Sequence, residues 1–223
     1  MVNDRVKKPS DLDAPQEGVI QYCLTLNPAH NIDCEEFAEL NHWRSYLHRL
    51  GLIGQQADRY GGLGFGNVSH RLAASSSEFV ISGTQTGHLP LLCREHYVLV
   101  TQVDVDHNRL SANGPVKPSS EALTHAAIYQ ANPQVQCVLH VHSPFIWAQT
   151  SHPDLMYTDK AIPYGTPAMA KAIQQVVQNH NDSTGVIIMC GHLDGVIAYS
   201  HDLDEAGEAL LALLNHMDPL TAC

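Results

Sequence analysis

The run Cys137-Val138-Leu139-His140-Val141-His142-Ser143 constrains this chain more than any other stretch. Its β-branched and apolar residues favour a buried strand. Side chains alternate faces along a strand, so His140 and His142 point one way and Val141 the other. Two imidazoles on one face can grip a divalent metal with little rearrangement. Equally, they can be a pair of half-buried polar residues near a strand end. The rest of the sequence has to decide between these readings.

Around that strand the chain is long enough, at 223 residues, for one large domain with a sizeable core. Its 44% hydrophobic content is ordinary for a globular protein, so most of the chain is expected to be ordered. No apolar run reaches the roughly 18 residues that span a bilayer. The N-terminus lacks an apolar signal core, so secretion is not expected. The six cysteines (23, 34, 93, 137, 190 and 223) include no Cys-x-x-Cys pair. Cys137 and Cys190 lie in apolar runs and read as buried free thiols, which suits a reducing cytoplasm. A net charge of −11 repels a phosphate backbone and disfavours nucleic-acid partners. An anionic substrate therefore needs a metal and local donors to hold it. With fifteen histidines in the chain, position is more informative than number.

Residues 1–30 read as an N-terminal arm, polar and loose over its first 18 residues, and 31–223 as a single domain. A helix is expected from Asn31, with Asp33 as N-cap and Glu35 and Glu36 in its first turn. Phe37, Leu40, Trp43 or Arg44, Leu47 and Leu50 give it a core-facing stripe, ended by Gly51 or Gly54. Two donor-rich loops follow. Tyr60 to Arg71 carries four glycines within six residues, so its backbone can approach a ligand or simply form a flexible hairpin. Ser82-Gly83-Thr84-Gln85-Thr86-Gly87, after the strand Phe79-Val80-Ile81, offers hydroxyl and N–H donors without fixed charge. Neither loop contains a P-loop or dinucleotide fingerprint.

Tyr97–Thr101 reads as a strand and Asp104 to Gly114 as a surface hairpin. Lys117-Pro118-Ser119-Ser120-Glu121 opens a helix capped by Ser119 or Ser120, and Asn132-Pro133 ends it before the histidine strand. Phe145 to Thr150 is expected to be helical, Ser151 to Ile162 irregular, and Ala168 to His180 helical behind Thr166 and Pro167. Val186 to Cys190 and Val196 to Tyr199 are strands broken by Gly191-His192-Leu193-Asp194-Gly195, and Leu203 to Met217 is a final helix. The expected fold is α/β: a layered α/β/α domain with a central, mostly antiparallel sheet.

Three features now combine. His140 and His142 share a face, His192 sits where an apolar strand breaks at glycine, and Glu121 opens the helix feeding the histidine strand. Three imidazoles with an open position are the pattern of a catalytic metal site, and a nearby carboxylate can serve as acid/base.

In Gly66-Asn67-Val68-Ser69, Thr84-Gln85-Thr86-Gly87, Pro118-Ser119-Ser120-Glu121, His140-Val141-His142 and the His192 strand, residues 37–217 resemble the class II aldolase/adducin family. The resemblance implies zinc, or another divalent metal, on His140, His142 and His192. It makes Glu121 the catalytic carboxylate, and Asn67, Thr86, Gly87, Ser119 and Ser120 the holders of a substrate phosphate. Tyr157 would match the tyrosine the aldolases use. The implied activity is that of a lyase of carbohydrate metabolism, with aldolase-type C–C cleavage of a small sugar phosphate through an enediolate. A 4-epimerase, a dehydratase or a non-catalytic adducin-like interaction module are the alternatives. Relatives are often tetramers, so a homotetramer is expected.

The chain departs from the family in two places: the stretch from His142 to Gly165-Thr166 is shorter than in the aldolases, and glycine does not directly follow His192. His201 and His180 are the weaker candidates for third ligand. His125, one turn after Glu121, reads as an orienting or structural residue, while His70 and His88 adjoin the donor loops.

Overall fold

A computed structural model describes residues 17–29, 32, 34–149 and 152–215. The first strand, β1 (Cys23–Asn27), precedes helix α1 (Phe37–Arg49). The glycine-rich region forms β2 (Gly54–Gln55), β3 (Gly64–Phe65) and β4 (Asn67–Arg71). Then come β5 (Phe79–Ser82), β6 (Tyr97–Asp104), β7 (Arg109–Asn113), α2 (Ala122–Ala131) and the histidine strand β8 (Cys137–His142). The chain closes with α3 (Pro144–Trp147), β9 (Met156–Tyr157), α4 (Pro167–His180), β10 (Gly185–Ile188), β11 (Gly195–Ser200) and α5 (Leu203–Asn215).

All six residues of β8 are buried, as its continuous apolar run requires. It lies inside a nine-stranded sheet of order β1-β7-β6-β5-β4-β8-β11-β10-β9. Among the described residues this sheet is mixed: six pairings are antiparallel, and only the edge pairs β1–β7 and β9–β10 are parallel. Between β4 and β11, β8 sets Asn67 opposite His140 and Gly195 opposite His142.

On α1 the stripe buries Leu40, Trp43, Arg44 and Leu47, so both residues at the doubtful position face inward, while Leu50 is exposed. Arg44 has a purpose there. Its guanidinium donates to the carbonyls of Thr86 (2.9 Å) and Leu89, and His48 Nε2 lies 3.2 Å from the carbonyl of Gly87. Helix α1 thus holds the second donor loop in shape. That loop is also tied to the approach to α2, because Thr84 N donates to Lys117 O (3.0 Å) and Ser119 N to Ser82 O (3.2 Å).

Several boundaries differ from the sequence reading. The arm does not extend to residue 30, since Cys23–Asn27 pairs in register with β7 and lengthens the sheet. Helix α1 begins at Phe37 with Glu36 at its N-cap; Asn31 and Asp33 lie outside the described residues. Helix α2 begins at Ala122 with Glu121 itself at the N-cap, and neither Ser119 nor Ser120 caps it; Ser119 Oγ accepts only the Glu121 amide (3.3 Å). The stretch read as irregular contains β9, a two-residue edge strand too short to carry a periodic signal. Thr166 does cap α4, accepting from Met169 N (3.2 Å), with Pro167 behind it. Cys34 and Cys137 are buried, Cys190 is partly exposed, Cys23 and Cys93 are exposed, and these five thiols are free. No helix among the described residues is long and apolar enough to cross a membrane.

Candidate active site

Strand alternation puts the His140 and His142 rings parallel, 5.1 Å apart and within 9° of coplanar orientation. His192 arrives from the turn between β10 and β11. There its N–H donates to Met189 O, its carbonyl accepts from Gly195 N (both 2.9 Å), and Trp147 Nε1 pins Met189 O at 3.0 Å. The His192 ring stands edge-on to the other two, with centroids 5.1 and 4.7 Å away. One ligand atom from each imidazole lies within 4.8 Å of the others. A Cβ at position 195 would sit 2.8 Å from the His192 ring, so glycine is required two residues later than the family pattern places it.

The three rings are fully buried, yet both nitrogens of His140 and His142 and Nδ1 of His192 have no hydrogen-bond partner. Buried polar atoms are ordinarily satisfied, and three clustered imidazoles with unpaired nitrogens fit a metal cradle. Burial, reinforced by His192, pushes the pKa values of His140 and His142 well below the ordinary histidine value, so both are neutral and keep a lone pair free. For His192 burial acts in the same direction but is outweighed by Glu17 and by the nearby Glu121 and Asp194, so its pKa is raised. Aromatic rings wall the cluster. Tyr164 stacks on His192 at 3.9 Å, and Tyr60 and Phe65 pack on His142 at 4.6 and 5.4 Å. The Tyr60 hydroxyl bridges Arg59 and Asp194, each at 2.6 Å.

Glu121 is buried, with Oε2 accepting from Thr124 Oγ1 (3.0 Å) and Oε1 unpaired. Burial raises its pKa, against the opposing pull of His192. Asn67, Thr86, Gly87, Ser119 and Ser120 line one small cavity together with Gly64 and Gly66, and Asn67 Oδ1 has no partner. The larger surface clefts lie elsewhere, such as the one walled by Arg71, Ser76, Gln102 and Tyr129.

Not every residue expected at the site is there. The Tyr157 hydroxyl is bound to Gln149 O (2.8 Å) and to His152, and the tyrosine rings against the triad are those of Tyr164 and Tyr60. His201 and His180 are exposed, on Glu205 and on Val176 O. His70 turns away toward Arg71 O (2.7 Å) and Glu36, and exposed His88 rests on Gln85 O (3.1 Å). His125 bonds Ser69 Oγ (2.7 Å), which in turn meets Tyr129. Sequence reasoning missed Glu17, Tyr60 and Tyr164. For Tyr164 its place beside Gly165, just ahead of a capped helix, was the available signal; Glu17 offered none.

Burial lowers the His125 pKa to about 3, against 6.5 for the free side chain. The unfolded chain therefore binds a proton there below pH 6.5 that the folded chain refuses, and stability falls as pH falls. His125→Asn is expected to remove about 1.4 kcal/mol per pH unit from the acid-side slope of folding stability between pH 6 and 5. Equal slopes for the two proteins in denaturant titrations would contradict this assignment.

The family model described as Class II Aldolase and Adducin N-terminal domain matches residues 56–217. Methylthioribulose-1-phosphate dehydratase of Xanthomonas euvesicatoria is 37% identical over 78 residues, 35% of this chain and 32% of that protein. This chain therefore matches about a third of that relative's length. Among solved structures, YgbL of Klebsiella pneumoniae superposes with TM-score 0.59 at 19% identity, covering 83% of this chain and 89% of that one. L-fuculose-1-phosphate aldolase of Thermus thermophilus gives 0.54 at 17%, covering 84% and 96%. At such identities the likeness is one of fold.

Proposed function

This chain belongs to the class II aldolase/adducin family, and on that premise we propose that it is a divalent-metal-dependent lyase of small phosphorylated hydroxy-carbonyl compounds. The observation that carries the reading is the buried triad His140, His142 and His192, one ligand nitrogen of each lying within 4.8 Å of the others. His140, His142 and His192 would hold zinc or another divalent ion, which would supply Lewis acidity at a substrate oxygen.

The chain's own groups do the rest. Glu121 has one free carboxylate oxygen and a pKa raised by burial, so it can take a proton from the substrate and return it. Asn67, Thr86, Gly87, Ser119 and Ser120 offer neutral donors to a phosphate, which a protein of net charge −11 cannot attract through its overall field. Tyr60, Phe65 and Tyr164 exclude water from the reacting centre.

The bond broken separates two readings. The dehydratase relatives favour loss of a hydroxyl β to the carbonyl. Aldol cleavage is the expectation from the motifs, and glutamate rather than aspartate at position 121 resembles the aldolases more than the 4-epimerases. A non-catalytic adducin-like module is disfavoured by the complete triad and Glu121. The test is to offer metal-loaded protein methylthioribulose 1-phosphate and L-fuculose 1-phosphate in separate assays. A product lighter by one water from the first identifies a dehydratase; dihydroxyacetone phosphate from the second identifies an aldolase. Turnover of neither, or of any related ketose phosphate, with one metal bound per chain, would sink the lyase reading.

A further inference from the structure

A carboxylate that the family pattern does not supply stands against the triad. Glu17 is 8% exposed, and its Oε2 lies 2.7 Å from His192 Nε2 and 3.8 Å from His142 Nε2. Ligand atoms about 2.0–2.2 Å from a tetrahedral ion stand roughly 3.3–3.6 Å from one another. The two separations of Glu17 straddle that spacing. Burying a carboxylate in a chain of net charge −11 is costly unless a positive charge shares the place.

The backbone beside Glu17 is fixed in the cavity expected to take phosphate. The Gly18 carbonyl accepts from Thr84 Oγ1 (2.9 Å) and Gln85 Nε2 (3.0 Å), so two donors of that loop are engaged by the protein's own chain. Glu17 and Gly18 form one wall of the cavity that contains Asn67, Thr86, Ser119 and Ser120. Just beyond, Tyr22 donates to Ser119 O (2.9 Å), anchoring the segment before it enters β1.

We propose that Glu17 is a fourth, displaceable ligand to the metal of the His140, His142 and His192 site, and that the Glu17-Gly18 segment occupies part of the substrate pocket in the resting protein. Substrate then enters by exchange. Its oxygens replace the Glu17 carboxylate and its phosphate replaces the Gly18 carbonyl, so the site is never left open to solvent. The inference rests on the metal reading above and adds to it a ligand and an occupant from the N-terminal segment.

The test uses the full chain loaded with cobalt(II), whose visible spectrum reports the ligand set without any assay of activity. Wild type is compared with Glu17→Gln and Gly18→Ala. Gly18 has φ +65°, strained for alanine, and a Cβ there would lie 2.0 Å from Gln85 Nε2, which also holds the Gly18 carbonyl, so alanine loosens the segment's seat without changing the Glu17 side chain. Both variants are expected to keep one cobalt per chain, to bind it about tenfold more weakly, and to show a changed visible band. Inorganic phosphate, used as the probe of the pocket, is expected to bind both variants about tenfold more tightly than wild type. Visible spectra that match wild type in both variants overturn the proposal while leaving the metal site standing. Failure of wild type itself to bind cobalt overturns the metal reading, a distinct result. If Glu17→Gln does not fold, Gly18→Ala decides the question alone.

Discussion

Replacing His140 and His142 together with alanine is expected to leave a folded chain that binds no divalent metal and has lost at least about a thousandfold in turnover. The fold should survive, because the two rings contribute little beyond their volume. All four of their nitrogens are buried without partners, and each such group costs about 1–3 kcal/mol relative to a satisfied one. Removing them relieves that cost, which offsets the void left behind. The gain from binding disappears, however. A ligand present at a thousand times its dissociation constant stabilises a protein by about 4 kcal/mol, so zinc should raise the melting temperature of wild type and not of the double variant. A zinc-dependent shift that persists in the variant would place the metal elsewhere among the chain's histidines.

Glu121→Gln is the complementary experiment. Glutamine keeps the size of the side chain and can still accept from Thr124 Oγ1, so burial and local packing are preserved. It cannot exchange a proton with the substrate. The expected result is a fall in kcat of about 100- to 10,000-fold at unchanged metal content, with KM within a few-fold of wild type. The split matters. A rise in KM with kcat intact would make Glu121 a binding group, and the proton transfer would have to be reassigned. The negative charge of Glu17 contributes to the raised pKa of Glu121, so the experiment is best repeated in the Glu17→Gln background.

Most of the scaffold was legible because its signals are local and strong. The apolar run of β8, the stripe on α1 and the Thr166-Pro167 start of α4 each follow from residue spacing alone. The convergence of His140 and His142 followed from strand alternation, whereas that of His192 rested on where glycine breaks a strand. Less legible were features set by partners distant in sequence. The β1 strand is short and lies at a sheet edge with alternate residues exposed, so its signal is weak, and its pairing with β7 is fixed only when the sheet forms. The Tyr157 hydroxyl is held by Gln149 O, and spacing along a shortened segment does not reveal which tyrosine packs on the three histidines. Tyr164 reaches them from the far end of that segment, next to the start of α4. Glu17 was invisible because nothing in a polar stretch marks a carboxylate that will be buried 175 residues away from its partner.

The placement of β8 between β4 and β11 also governs how the site comes into being during folding. Each neighbour is far away in the chain, and the entropy of closing those long loops has to be met before either pairing is rewarded. Until both ladders form, His140 and His142 have no fixed face and His192 has no turn to hold it. A nascent or partly folded chain therefore cannot present the three imidazoles together, and a stray ion cannot capture it in a misassembled form through this set. Competence to bind arises as one of the last steps of assembly, so metal uptake reports on completed folding.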